Sequence, residues 1–183
     1  MPTFVKKVTF NAPQLINAGS CFQGSNGMTE FVGDLSSLKN AESFFNSCYN
    51  LKNIDINLPN LEHGKYFFHM IPLEKINLQT PKLSNGQSMF GRALLDKNST
   101  LTFVNSLPQH LSGSHPLTIG IHIDHKYDPE VNVALKKLQN SYITPIEEFG
   151  ASLPEEITID KGWTIEIYWN GTATENAYPE PEL

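Results

Sequence analysis

The chain is poor in the groups that most often announce a task. Only 17% of its 183 residues are charged, and the formal net charge is −6. Arg92 is the one arginine between Val8 and Leu111, and the lysines are scattered. Phosphate neutralisation needs clustered Lys and Arg, so the expected partners do not include nucleic acid. No run approaches the 18 or so apolar residues a spanning helix needs, so membrane insertion is not expected either. Met1 to Lys7 holds no apolar signal core; a chain starting natively at Met1 is expected to fold inside the cell that makes it. There are two cysteines, Cys21 and Cys48, at different places in the repeat described next; they read as two buried thiols rather than a disulfide. Neither a Gly-x-Ser-x-Gly elbow nor a glycine-rich phosphate cradle occurs, and no cofactor is expected.

What is present is a repeat. Leu51-Lys-Asn-Ile54-Asp-Ile56-Asn-Leu58-Pro59-Asn-Leu61 returns as Leu73-Glu-Lys-Ile76-Asn-Leu78-Gln-Thr80-Pro81-Lys-Leu83, and Phe68 returns as Phe90, each 22 residues on. Stepping back 23 from Ile54, Leu61 and Phe68 gives Phe31, Leu38 and Phe45, and again Val8, Leu15 and Phe22. Forward, the pattern slips over Leu95 to Leu101 and resumes at Leu101 and Phe103. A period in the twenties is the mark of short units that cannot bury an apolar face alone and stack on their neighbours. The expected fold class is therefore an α/β repeat solenoid of about four and a half coils of about 22–25 residues, with one parallel sheet.

Each coil is expected to hold a strand with two inward residues (Val8/Phe10, Phe31/Gly33, Ile54/Ile56, Ile76/Leu78, Leu101/Phe103). A corner follows, marked by Pro13, Pro59, Pro81 or Pro108, and then a segment running to the aromatics. That last segment reads equally as a helical turn or a second extended piece. Gly64 and Gly86 mark a tight bend within it. Phe4 to Phe10 alternates as an opening strand that covers the end of the sheet.

The motif Cys48-x-x-Leu51-x-x-Ile54-x-Ile56-x-Leu58-Pro59-x-Leu61, followed by Phe67-Phe68, resembles the BspA-like, or Treponema-type, leucine-rich repeats. The likeness runs from Val8 to about Leu111. Phe44, Phe67 and Met89 stand where that family usually has Ala, only Cys48 sits at its cysteine position, and Gly33 replaces an inward aliphatic. The resemblance implies a leucine-rich-repeat-like stack, and it implies settings such as bacterial surface adhesins and the tails or virions of bacteriophages.

Beyond Pro116 the period is lost. Leu117 to Ile123 alternates as a strand. Asp128-Pro129-Glu130 opens a helix carrying Val131, Leu135 and Leu138, with Asp as N-cap and Pro at the first helical position. Trp163, Ile165, Ile167 and Trp169 line one face of a last strand. The expected organisation is a solenoid with an N-terminal cap strand over 1–115, an α/β strand-helix-strand cap over 116–170, and a mobile tail over 171–183.

Catalytic constellations do not stand out. His122-Ile-Asp124-His125 offers two ligands on one strand face without a third. Glu147-Glu148 and Glu155-Glu156 read as solvated charge, and Ser112-Gly-Ser114-His115 lacks a surrounding motif. Asp124, Asp128, Glu130 and Asp160 are raw material for a carbohydrate-active enzyme, which needs two facing carboxylates and is the least favoured reading. The favoured site is the outer face of the repeat strands, where rows such as Thr9/Val32/Asp55/Asn77 and Asn11/Asp34/Asn57/Gln79 stack beside Lys7/Glu30/Asn53/Lys75. Either these side chains satisfy one another, or they bind. The candidate binding residues are Asp34, Asp55, Asn57, Lys75, Asn77 and Gln79. The function expected is a non-enzymatic recognition or structural module binding a protein or a cell-surface glycan. Its expected setting is a bacteriophage virion or host-recognition component assembled in the host cytoplasm, where oligomeric assembly is possible; the alternative is a domain of a bacterial surface adhesin.

Overall fold

The structure is a computed structural model, and it describes residues 5–110, 115–138 and 162–172. Three short strands, β1 (Lys7–Thr9), β2 (Glu30–Asp34) and β3 (Asn53–Asn57), form a parallel sheet in that order. Their register is the sequence spacing made visible: Val8 lies beside Phe31, Phe31 beside Ile54, and Asp34 beside Asn57. Helix α1 (Lys97–Ser106) follows. Strand β4 (His115–His122), helix α2 (Pro129–Lys136) and strand β5 (Trp163–Asn170) come next among the described residues, with β4 and β5 paired in parallel.

The expected solenoid class is corrected by this architecture. Parallel pairing is split between a three-stranded and a two-stranded sheet, there are two helices, and no extended solenoid stack is present among the described residues. The physical reason lies at two places. Leu73–Thr80 keeps a strand-like alternation of buried and exposed residues, but no backbone hydrogen bond joins it to β3. Leu101 and Phe103, expected on a strand, lie in α1. Asp96 caps that helix by accepting a hydrogen bond from the Ser99 amide at 2.8 Å. The helix then takes the place of a next strand: Ser99 Oγ accepts from the Ile76 amide and Ser106 Oγ from the Thr80 amide, both at 3.0 Å.

Away from the strands the 22–23-residue register persists. Parallel bridges join Asn17 to Asn40, Asn40 to His63 and His63 to Asn85. Turns at Pro13, Pro59 and Pro81 close with amide-to-carbonyl bonds such as Leu61 to Leu58 at 3.2 Å. The segment after each turn is neither helix nor strand. It bends through left-handed residues that recur with the repeat: Ser20, Ser43, Tyr66 and Ser88 in one column, Gly24, Ser47 and Met70 in another. Gly64 and Gly86, expected at the bend, have no left-handed φ. Their role is close packing: a Cβ on Gly86 would stand 2.7 Å from Leu117 Cδ1.

The core is aromatic. Phe44 stacks on Phe67 at 5.4 Å, and Phe45, Phe68 and Phe90 stack in a second column at 5.9 and 5.1 Å. All five are fully buried. At the N-terminal end the same column finishes at Phe22, which is only half-buried.

The C-terminal elements match their sequence signals. Asp128 caps α2, accepting from the Glu130 and Val131 amides at 2.9 and 3.2 Å, and Pro129 opens the helix. Trp163, Ile165, Ile167 and Trp169 are turned inward while Thr164, Glu166 and Tyr168 are exposed. Strand β4 departs from simple alternation, because Leu117 to Ile121 are all buried. It is flanked by β5 on one edge and bridged to Gly86 and Leu95 on the other.

Asp128 also pairs with Lys97, 3.0 Å away, which reaches Glu130 at 2.8 Å and so ties the first turns of α1 and α2 together. Burial alone would push the Asp128 carboxyl up, but the Lys97 ammonium and the two helix amides outweigh it and hold the carboxyl below its usual range. A depressed carboxylate stabilises the fold above its unfolded pKa of about 3.9, and that contribution is lost as pH falls through the lower folded value. Asp128→Ala is expected to cost about 1–2 kcal/mol at neutral pH from the lost cap alone. Asp128→Asn keeps the amide acceptor and is expected to cost less than the alanine variant. Thermal melts at pH 7 and pH 2.5 check this: the wild-type advantage over both variants should shrink in acid.

Candidate functional site

An open groove of about 560 Å³ lies along β3, walled on one side by β2 and β3 and on the other by Leu73–Thr80 and the start of α1. Phe31, Ile54 and Ile76 border it while their side chains belong to the core, with Phe31 fully buried. Asn53, Asp55, Lys75, Asn77 and Asn98 supply polar walls. The strand alternation turns Asn53, Asp55, Lys75 and Asn77 outward, and all four are exposed. Their side chains have no hydrogen-bond or ion-pair partner among the described residues. The mutual satisfaction considered for these rows therefore does not occur here. It occurs at the N-terminal end of the Lys7/Glu30/Asn53/Lys75 row, where Lys7 pairs with Glu30 at 2.6 Å.

Six residues were expected to form the site, and all six are exposed. Asp55, Lys75 and Asn77 come together in the groove; Asp34, Asn57 and Gln79 do not line it. Asp34 has a local job, accepting from the Ser36 amide at 3.1 Å to shape the turn after β2. The sequence reading missed Asp96 and Asn98, which lie at the start of α1 on the far wall. The signal for them was the Asp96-x-x-Ser99 cap.

The other chemical candidates resolve differently. Both cysteines are free; Cys48 is buried and Cys21, expected to be buried, is exposed. Burial pushes the Cys48 thiol up. His122 ends β4 while Asp124 lies in the following 3-10 turn Ile123–His125, so the two do not share a strand face; the imidazole and carboxylate are 3.5 Å apart. No group of three or more His, Cys, Asp or Glu side chains suited to a metal occurs among the described residues. Asp128 and Glu130 are engaged by Lys97 rather than facing each other across a cleft. Ser112, Ser114, the two glutamate pairs, Asp160 and most of the tail lie outside the described residues. His115 stacks on His110 at 3.5 Å, and burial holds the His110 imidazole below its ordinary value.

No protein-family model, curated protein or solved structure matches the chain. Among the described residues no helix is long and apolar enough to cross a membrane.

Proposed function

We propose that the protein is a non-enzymatic recognition module that holds a hydrogen-bonding ligand, a cell-surface glycan or a segment of another protein, in the groove beside β3. The observation that carries this is the set of exposed, unpartnered polar side chains along the groove: Asn53, Asp55, Lys75 and Asn77. Amides and carboxylates on short side chains lose little rotamer freedom on binding, and they can both donate to and accept from a ligand. The resemblance of the repeat to BspA-like sequences supplies the setting. A bacteriophage virion or host-recognition component is the first reading and a bacterial surface adhesin the second.

The test separates the six candidate residues into two triples. Wild type, Asp55→Ala/Lys75→Ala/Asn77→Ala and Asp34→Ala/Asn57→Ala/Gln79→Ala would be compared for binding to whole bacterial cells, an array of purified surface glycans and an array of peptides. Each lost hydrogen bond is worth about 0.5–1.5 kcal/mol, so the groove triple is expected to weaken binding by roughly tenfold or more. The second triple should bind as wild type does. Equal loss in both, with melting curves unchanged, would move recognition off the groove.

A further inference from the structure

We infer that β5 pairs with β5 of a second copy of this chain, edge to edge and antiparallel about a two-fold axis. On the side of β4 that meets the repeat, the even-numbered residues make the bonds. The Gly86 amide donates to Pro116 O at 2.8 Å, the Thr118 amide to Gly86 O at 3.0 Å and the His122 amide to Leu95 O at 3.0 Å. The odd-numbered residues of β4 therefore face β5. In a parallel ladder each of these bonds to the residues flanking its opposite number, so Leu117, opposite Ile165, takes Thr164 and Glu166. The even-numbered residues of β5 are engaged in this way. The amides and carbonyls of Ile165, Ile167 and Trp169 point the other way, out of the far edge of the sheet. Only the start of that edge is occupied, where the Trp163 amide donates to Leu138 O at 2.9 Å. β5 is the end strand of its sheet, and no described residue bonds to the outward backbone groups of Ile165, Ile167 or Trp169. Backbone donors and acceptors in folded proteins nearly always find partners, so this edge is a template for an added strand.

Open edges are normally blunted by shortness or by charge. At the other end of the fold β1 spans three residues and has Lys6 and Lys7 on or beside it. β5 spans eight residues, with no lysine, arginine or proline and one charge, Glu166. Its row of Ile165, Ile167 and Trp169 is only half-buried, and Tyr168 is 42% exposed. The side chains then favour a second copy as the occupant. Antiparallel pairing centred on Ile167 sets Ile167 against the partner's Ile167 and Ile165 against the partner's Trp169. All the outward amides of both strands then find carbonyls. The same register sets Glu166 against the partner's Tyr168 and Thr164 against the partner's Asn170, a carboxylate facing a phenol and a hydroxyl facing an amide. Other centres fit worse. Centring on Glu166 puts two carboxylates directly opposite and leaves Trp169 facing the partner's Trp163, whose amide Leu138 already holds. Centring on Tyr168 leaves Ile165 opposite Gly171, past the end of the partner's strand. The two-fold dimer carries two copies of the groove beside β3, which strengthens attachment to a repetitive surface.

Sedimentation equilibrium of the full chain is expected to give the mass of two chains, falling to one on dilution. Proline is tolerated on an edge strand where the amide points outward, so Ile167→Pro removes the central donor while leaving the pairing with β4. Two bonds are lost across the axis, and association is expected to weaken by roughly a hundredfold. Asp55→Ala/Lys75→Ala/Asn77→Ala should dimerise as wild type does, because the groove lies on other strands. Cross-linking in air, in a Cys21→Ser background, reads the register. Glu166 and the partner's Tyr168 form a non-hydrogen-bonded pair with Cα atoms about 4.5 Å apart, within disulfide reach. A mixture of Glu166→Cys and Tyr168→Cys chains should give a covalent dimer, and either chain alone should not. Should Ile167→Pro fail to fold, the wild-type mass and the cross-linking pattern decide. A single chain at every concentration overturns the inference. Slow hydrogen exchange at Ile165, Ile167 and Trp169 in that monomer would then show another segment of the same chain on the edge. A dimer or larger assembly that survives Ile167→Pro overturns the inference too, as does cross-linking of Glu166→Cys alone as readily as of the mixture.

Discussion

Phe68→Ala is expected to lower the unfolding free energy by about 3–5 kcal/mol, the range for truncating a fully buried Phe. Phe68 is 0% exposed. Its ring stacks on Phe45 at 5.9 Å and on Phe90 at 5.1 Å, and meets Phe67 edge-on at 4.5 Å. The cavity cannot collapse easily, because the Phe68 amide is bonded to Met89 O at 3.0 Å and the backbone on either side is held by the same ladder. Three rings lose a partner at once. With a whole-protein stability of the ordinary ~5–15 kcal/mol, the variant should lose much of its cooperative transition. The matched control is Phe22→Ala at the half-buried end of the same column, which should cost distinctly less. Urea titrations of Phe45→Ala, Phe68→Ala and the double variant should show a coupling of about 0.5–1.5 kcal/mol between the two rings. A Phe68→Ala cost no greater than that of Phe22→Ala would show that the column does not carry the core.

The aromatic column is also the part of the fold that was easiest to read. The spacings of Phe22, Phe45, Phe68 and Phe90 are a long-range contact written in one dimension, and the strand register between Val8, Phe31 and Ile54 follows from the same arithmetic. Helix α2 was legible because Asp128-Pro129-Glu130 combines a cap, a fixed φ and an acidic first turn. Helix α1 was not, because Leu101-Thr-Phe103-Val104 suits a strand by composition and by period. The deciding signal was the cap at Asp96, and the helix wins because its Ser99 and Ser106 hydroxyls satisfy the amides of Ile76 and Thr80. The extended stack failed at the same point. Equal spacing says which residues would meet if two segments paired, and it is silent on whether they pair. Three of the six site residues could be placed in the groove by alternation alone, whereas the groove itself depends on the pairing that is missing between β3 and Leu73–Thr80. The left-handed bends at Ser43, Ser47, Tyr66 and Met70 were hidden for another reason: none of these residues is a glycine, so nothing in their chemistry advertises the conformation.

Gly120→Ala is the substitution that should most disturb the join between β4 and the rest of the chain. A Cβ there would lie 2.6 Å from Ala93 O and 2.9 Å from Ala93 N, and closer still to Phe90 O. All three are backbone atoms, so no rotamer change can make room. They also sit inside the bonding that holds β4 in place: the Phe90 amide donates to Thr118 O at 3.1 Å, Leu95 to Gly120 O at 3.3 Å and His122 to Leu95 O at 3.0 Å. Relieving the overlap means moving β4 away from Phe90–Leu95 and weakening these bonds together. Overpacking of this kind costs about 1–3 kcal/mol and more where the backbone must shift, and the upper end is expected here. Gly24→Ala isolates the contrasting cause. Gly24 has a left-handed φ of 71° with no atom within 4 Å of its built Cβ, so only the dihedral strain of about 1–2 kcal/mol applies. Chemical denaturation should rank Gly120→Ala as the more damaging of the two. Hydrogen exchange should then report where the damage falls: faster at Phe90, Leu95 and His122 in Gly120→Ala, unchanged there in Gly24→Ala. Were Gly120→Ala within 0.5 kcal/mol of wild type, β4 could not lie as close to Phe90–Ala93 as these distances place it, and the packing of β4 and β5 against the repeat would have to be redrawn.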